Sequence, residues 1–318
     1  MLRLEKKHRS AVIEIGANRP GEVAELAALA QPSIALITNA GAEHLEGFGD
    51  IEGAARAEGE IVAALNSQGV AVINADDPYE AMWRGMTRGR VVTFGLSESA
   101  SVRASHVAQS VGDDGFIVRF QLHTASGTQD VEMALAGEHN VRNAACAAAA
   151  AQAAGASLAD VARGLSSVRA VAGRLQFRRT AVGGWLIDDS YNANPSSAIA
   201  AMDVLAGLSG RKWMVLGNMA ELGAQAETAH REIGVAARER GIERLYAFGN
   251  LASLAADAFS VSAAPTQRSL YFNDSVALTR ELNDALTSDV RLLVKGSRVN
   301  RLERVVAAVS AAATDREA

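Results

Sequence analysis

Short apolar runs alternate with helical patterns at both ends of this chain, and that alternation restricts the fold more than any other feature. Ala11 to Ile15 reads as a buried strand, as do Ile34 to Thr38 and Val70 to Ile73. Between them, Arg19-Pro20-Gly21-Glu22 opens a helix that stops at Gln31-Pro32, and Ile51 to Leu65 is amphipathic at helical spacing. Strands separated by helices imply a parallel sheet with helical crossovers. From Val91 to Leu135 the pattern changes to short segments parted by turns such as Gly112-Asp113-Asp114-Gly115, which predicts a small antiparallel sheet. Helices over His139–Ala154, with a run of alanines from Ala147 to Ala151, and over Leu158–Leu165 close this unit. A boundary falls at Ala172-Gly173-Arg174. Beyond it, strands near Trp185–Ile187, Trp213–Leu216, Leu245–Phe248 and Val290–Val294 are each followed by a helical pattern. The chain is therefore α/β with two domains, residues 1–172 and 173–318, the second of a size that suits a small doubly wound fold.

Composition narrows the function. Lys+Arg 31 against Asp+Glu 36 leaves a net charge of −5, a poor basis for coating DNA or a membrane surface. Hydrophobic content of 49% with 21% charged excludes wholesale disorder. No apolar run reaches the roughly 18 residues of a membrane span, and the first ten residues have no apolar signal core. A single cysteine, Cys146, excludes a disulfide framework and favours a reducing, cytoplasmic setting. The only lysines are Lys6, Lys7, Lys212 and Lys295, and none follows a glycine, so these residues contain no Walker-type phosphate loop. Nor is there a Gly-x-Gly-x-x-Gly fingerprint, which argues against a dinucleotide-binding dehydrogenase.

Six strings could carry chemistry. Glu14 ends the first strand run, where an acid either holds Mg²⁺ beside a phosphate or is an ordinary exposed carboxylate. Thr38 to Gly49 is glycine-rich and contains His44 between Glu43 and Glu46, a metal or general-base site or else a surface loop. In Gly137 to Asn143, Asn140 and Asn143 share a helical face, and their amides suit a purine edge as well as a helix cap. Asp188 to Ser197 runs from a strand through two acids and a polar loop to Pro195, a density of polar groups that reads as a binding loop or an elaborate cap. Leu216 to Gly223 and Val294 to Arg298 also follow strands. The second of these, with Lys295, Ser297 and Arg298, can take a carboxylate or phosphate.

Together these strings resemble the Mur ligases of peptidoglycan synthesis. The carrying residues are Glu14-Ile15-Gly16-Ala17-Asn18, His44 to Gly49, Gly59-Glu60-Ile61, Asn74-Ala75-Asp76-Asp77, Gly137 to Asn140, Asp188 to Pro195, Gly217 to Gly223 and Lys295 to Arg298. Within the family they are most like the branch that adds D-alanyl-D-alanine to UDP-N-acetylmuramoyl-tripeptide. The resemblance implies a central ATPase-type domain, a mostly parallel sheet plus a small antiparallel one, followed by a Rossmann-like C-terminal domain. It implies ATP and Mg²⁺ as cofactors, a carboxylate activated as an acyl phosphate, and a monomer when complete.

It also implies residue roles. Glu14 and His44 would hold Mg²⁺ near the γ-phosphate. Glu58 stands where the family has a carbamylated lysine, and supplies the same charge on a shorter stem. Asn140 and Asn143 would contact adenine, Arg174 would reach the ATP phosphates from the interdomain hinge, and Asp189 would bind ribose. Tyr191, Asn192, Asn194, Lys295 and Arg298 would line the cleft for the amino-acid substrates, where Asn218 replaces the branch's usual Asp. Met1 falls inside the family's central domain. The expectation is therefore that these 318 residues lack the first domain and its Gly-Lys-Thr loop, that they do not turn over ATP alone, and that a sheet edge is exposed near Ala11–Ile15. Two readings stand: part of a ligase, or a non-catalytic protein that keeps substrate or partner binding.

Overall fold

The computed structural model describes residues 4–41, 45–112 and 115–311, apart from the side chains of Leu45 and Glu46. His44 lies outside the described residues. The first unit is built on six strands that pair in sequence order: β1 (Ile34–Ile37), β2 (Val70–Asn74), β3 (Arg90–Gly95), β4 (Val102–Gly112), β5 (Gly115–Thr124) and β6 (Gly127–Met133). Its helices are α1 (Glu22–Ala30), α2 (Leu45–Phe48), α3 (Ile51–Ala63), α4 (Glu80–Met86), α5 (Glu138–Ala153) and α6 (Leu158–Ser167).

The uninterrupted apolar run of β2 has a simple cause: it is buried on both faces. Val70 and Val72 pack into the α5 side of the core, with Val141, Ala145 and Ala148. Ala71 and Ile73 face the other way, onto Ala55 and Val62 of α3 and Trp83 of α4. The alanine-rich face of α5 lets that helix lie close against the sheet.

Two expectations need correction. The antiparallel strands do not form a separate sheet. β3 and β4 pair in parallel through Phe94–Val102 and Gly95–Arg103, so β4, β5 and β6 continue the parallel sheet. Nor is Ala11–Ile15 a strand. It pairs with no strand among the described residues, and Val12 is 99% exposed. An apolar run becomes a strand only where a neighbour supplies the hydrogen-bond ladder. Among the described residues β1 is an edge strand, bonded only to β2, so on that side the sheet ends at β1 and not at Ala11–Ile15.

The second unit is a doubly wound sheet. Its elements are β7 (Gln176–Arg179), β8 (Trp185–Asp189), α7 (Pro195–Ala206), β9 (Arg211–Gly217), α8 (Ala226–Glu239), β10 (Arg244–Phe248), α9 (Asn250–Ser260), β11 (Arg268–Phe272), α10 (Ser275–Ala285), β12 (Val290–Lys295) and α11 (Glu303–Val309). The strand order is β11-β10-β9-β12-β8-β7, all parallel except β7. Helices α7, α8 and α9 cover one face and α10 and α11 the other. β12 returns last and slots between β8 and β9. The carboxyl ends of β8, β12 and β9 therefore lie side by side at the topological switch point, where ligands bind in open α/β sheets.

The two units share an apolar seam. Phe116 of β5 stacks edge-on against Phe177 of β7 at 5.9 Å, and Phe177 stacks in turn on Trp185 at 5.7 Å. Beside the seam is a cavity of about 320 Å³ between α5 and α7, lined by Gln109, His139, Arg142 and Asp203 among others.

Candidate functional site

Three loops meet at the switch point, and buried polar groups knit them together. Lys295 ends β12 and is only 2% exposed. Its Nζ donates to Asp189 Oδ2 at 2.6 Å and to the Asn192 carbonyl at 2.9 Å. A buried ammonium is tolerated only with such partners. The other oxygen of Asp189 accepts the Leu175 amide at 3.0 Å, so both carboxylate oxygens are engaged. Ser297 joins all three loops: its Oγ donates to the Ala193 carbonyl, accepts the Ala220 amide, and its own amide donates to the Asn218 carbonyl. Asn300 clasps the backbone of Asn218, accepting from its amide and donating to its carbonyl.

The remaining residues of the Asp188–Ser197 string divide by direction. Asp188 turns inward and accepts from the amide and hydroxyl of Ser190. Asn194 is the N-cap of α7, in a reciprocal capping box with Ser197 and with Pro195 in the first turn. The cap reading of that residue is therefore the one its geometry supports. Tyr191 and Asn192 face outward. Two guanidiniums lie over the Tyr191 ring, Arg174 at 4.5 Å and Arg298 at 5.5 Å from its centroid. Among the described residues neither of these arginines has a carboxylate partner. They form a dicationic, solvent-facing group held by an aromatic ring, suited to a carboxylate or phosphate.

Arg174 reaches that position because the interdomain strap is tied down on either side of it. The Tyr191 amide donates to the Gly173 carbonyl at 3.0 Å, and the Leu175 amide is held by Asp189. Gly173 sits at φ +73°, and a Cβ there would press on Tyr191 N at 3.1 Å, which is why glycine occupies the position. The glycine is a readable signal in the sequence. The roles of Leu175 and Asn300 have none, because each acts through tertiary contact.

Across the seam, α5 brings its first turn toward this group. Asn140 donates to the Ala136 carbonyl at 2.7 Å and faces His139 Nε2, while Asn143 is exposed. Burial pushes the His139 imidazole below its ordinary value, against the pull of the Asp189 carboxylate. Asn74, Asp76 and Asp77 organise the loops that follow β1, β2 and β3. Asn74 Nδ2 donates to the Thr38 carbonyl, Asp77 accepts the Ala40 amide, and Asp76 accepts the Leu96 and Ser97 amides. Burial alone would raise the Asp76 carboxyl, but those amides and Arg142 outweigh it and hold it below its usual range. Asn218 is turned from the cleft: its Oδ1 accepts the Ala252 amide in the first turn of α9, a bond that needs no charge. Glu60, singled out only as part of a string, accepts the Gly21 and Ala24 amides and so caps α1 from α3.

Of the proposed metal ligands, the structure describes Glu14 alone. Glu14 is exposed in a segment without regular structure, so the placement at a strand end fails for want of that strand. His44 lies outside the described residues, and Glu58 is half-buried on α3. Among the described residues no group of three or more His, Cys, Asp or Glu side chains is arranged to hold a metal ion. The described residues alone do not make up a Mg²⁺ site, since one of its two implied ligands, His44, is not among them. A nucleotide is met in part: Asn143 and Arg174 are exposed and can contact it, whereas both oxygens of Asp189 already accept bonds within the protein.

Comparison with known proteins adds the following. Residues 1–151 match the family described as Mur ligase middle domain, and residues 173–298 the one described as Mur ligase, glutamate ligase domain. The chain is 38% identical over 311 residues to the UDP-N-acetylmuramoyl-tripeptide–D-alanyl-D-alanine ligase of Escherichia coli, covering 97% of this chain and 67% of that protein. For the ligase of the same name from Haemophilus influenzae the identity is 34% over 312 residues, covering 96% and 65%. A crystal structure of MurF from Acinetobacter baumannii superposes with a TM-score of 0.87 at 34% identity, covering 97% of this chain and 66% of that one. The chain thus spans about two thirds of the length of the relatives it matches. No helix among the described residues is long and apolar enough to cross a membrane.

Proposed function

This chain belongs to the Mur ligase family, and from that membership we propose that its protein joins D-alanyl-D-alanine to UDP-N-acetylmuramoyl-tripeptide, at the expense of ATP, in the cytoplasm and as a monomer. The observation that carries this reading is the Arg174–Tyr191–Arg298 group at the switch point. It offers two guanidiniums to an anion on the surface that α5 faces.

The chemistry has two steps. The peptide carboxylate attacks the terminal phosphoryl group of ATP, giving an acyl phosphate and ADP. The amine of the dipeptide then attacks the acyl carbon, and an amide forms as phosphate leaves. ATP supplies the phosphoryl group when bound. The part of these residues is to neutralise and orient charge. Arg174, exposed on the interdomain strap, would meet phosphate oxygens. Arg298, on the β12 loop, is placed to meet the carboxylate of the incoming dipeptide. Asn192 presents its amide beside them. Asn143 offers a hydrogen-bonding edge to a base. Asp189, Asn194 and Lys295 act behind this surface, holding the loops in register.

Two experiments test the reading. Depleting the protein in its source cells should make UDP-N-acetylmuramoyl-tripeptide accumulate at the expense of the pentapeptide form, read by mass spectrometry of the nucleotide pool. An unchanged pool would favour the non-catalytic reading. The 318 residues alone, given the tripeptide nucleotide, D-alanyl-D-alanine and Mg-ATP, should release no ADP, because they contain no Gly-Lys phosphate loop. Robust turnover would refute the inference from the missing loop.

A further inference from the structure

Lys295 ends a strand at a ligand-binding sheet edge, which reads as a substrate cation, yet the residue is 2% exposed and its ammonium makes two bonds within the protein. We infer that the Lys295–Asp189 pair is a positioning latch: it fastens the interdomain strap, Val171 to Leu175, to the β8 loop and so sets where Arg174 stands. The path is continuous. Lys295 Nζ holds Asp189 Oδ2 at 2.6 Å, and Asp189 Oδ1 holds the Leu175 amide at 3.0 Å. Lys295 also holds the Asn192 carbonyl, next to Tyr191, whose amide holds the Gly173 carbonyl at 3.0 Å. Arg174 lies between the two tied residues, with its guanidinium over Tyr191.

Local preference accounts for only part of this shape: the Arg174 amide donates to the Val171 carbonyl at 3.0 Å and closes a turn around Gly173, while the Leu175 amide is held by Asp189. Leu175 has φ +47° and Gly173 φ +73°, two left-handed residues within three positions. For leucine that conformation is disfavoured and needs tertiary bonds to persist. The Asp189–Leu175 bond is the one made at Leu175 itself, and Lys295 is what keeps the Asp189 carboxylate aimed. The latch stands on the fold alone. Only its bearing on catalysis, through Arg174, rests on the ligase reading.

Amide hydrogen exchange on the whole 318-residue protein tests this without substrate. In Lys295→Met the Leu175 and Tyr191 amides should exchange at least tenfold faster, with the amides of Val215 and Tyr246 in β9 and β10 unmoved. Unchanged strap amides, or an equal acceleration throughout the sheet, would overturn the inference. A buried unpaired carboxylate can unfold a protein, so two neutral double variants complete the test. Asp189→Asn/Lys295→Met keeps an oxygen for the Leu175 amide and should retain its protection. Asp189→Ala/Lys295→Met removes that oxygen and should lose it by at least tenfold. Equal exchange in these two variants would also overturn the latch.

Discussion

Replacing glycine by alanine should have opposite effects in two helices of this protein. Gly234 lies buried in α8, against α9. A Cβ built on it would sit 2.1 Å from the Ala255 carbonyl oxygen and 2.8 Å from the Ala255 Cα, closer than the 3.0 Å that real Cβ atoms respect. The obstacle is backbone, so no rotamer change relieves it. Helix α9 would have to withdraw by roughly 1 Å from a close-packed core that includes Ile233, Ala237, Ala255 and Phe259. Helix propensity favours alanine by about 0.8–1.0 kcal/mol. Overpacking costs about 1–3 kcal/mol, occasionally more, and a backbone clash belongs at the upper end. Gly234→Ala should therefore destabilise by about 1–2 kcal/mol net, or roughly 2–8 °C in melting temperature for a domain of this size. Gly164 in α6 is the control. It is exposed, and a Cβ there meets nothing within 4 Å. Gly164→Ala should stabilise by up to about 1 kcal/mol. Urea unfolding should be followed by circular dichroism and by tryptophan fluorescence, with Trp83 reporting on the first unit and Trp185 and Trp213 on the second. A Gly234→Ala protein as stable as its parent would refute the packing argument, and a destabilised Gly164→Ala would refute the propensity argument.

Two further outcomes follow from buried titratable groups. Burial pushes the Cys146 thiol up to about 12, so it should resist an aromatic disulfide reagent in the native protein and react only after unfolding. Rapid native labelling would show that the α5 core opens. His230 is held neutral by burial, against the pull of the Ala226 carbonyl, and its Nε2 accepts the Met219 amide at 2.9 Å while Nδ1 bonds Ala226 O. Its folded value lies below the ordinary 6.5, so the stability it contributes is complete above that pH and is lost as pH falls toward the folded value. The urea midpoint should drop between about pH 7 and pH 5, and His230→Gln, which can keep both bonds, should lessen the slope. An identical slope in the variant would remove His230 from the effect.

The parts of this fold that were legible in the sequence are those where pattern and partner coincide. β2, β9 and β12 are mostly apolar because helices cover both faces, and each stands within a residue or two of where the periodicity put it. Ala11–Ile15 has the same kind of pattern and forms no strand, since apolar periodicity says nothing about whether a neighbour is present to receive the ladder. β7 and β11 lacked a clear signal because both are edge strands with mixed burial. The clustering of three loops at one sheet end was readable, because in a doubly wound sheet every βα loop falls on the same side. Which side chains of those loops face outward was not. Lys295 and Arg298 lie three residues apart in one polar string, yet one is sealed beneath the loops and the other open to solvent. That difference is made by Asp189, more than a hundred positions away in sequence.

Ser297 has a consequence for how this surface tolerates change. One hydroxyl and one amide bind the loops after β8, β9 and β12 into a single plate. A substitution in one loop is then felt in the other two, and single-residue scans will misassign effects among them. Double-mutant cycles between, say, Asn192 and Asn218 should show coupling energies well above those of pairs at similar spacing elsewhere. For descent with modification, the same plate implies that changes in these loops become acceptable in sets, each opening the way for the next.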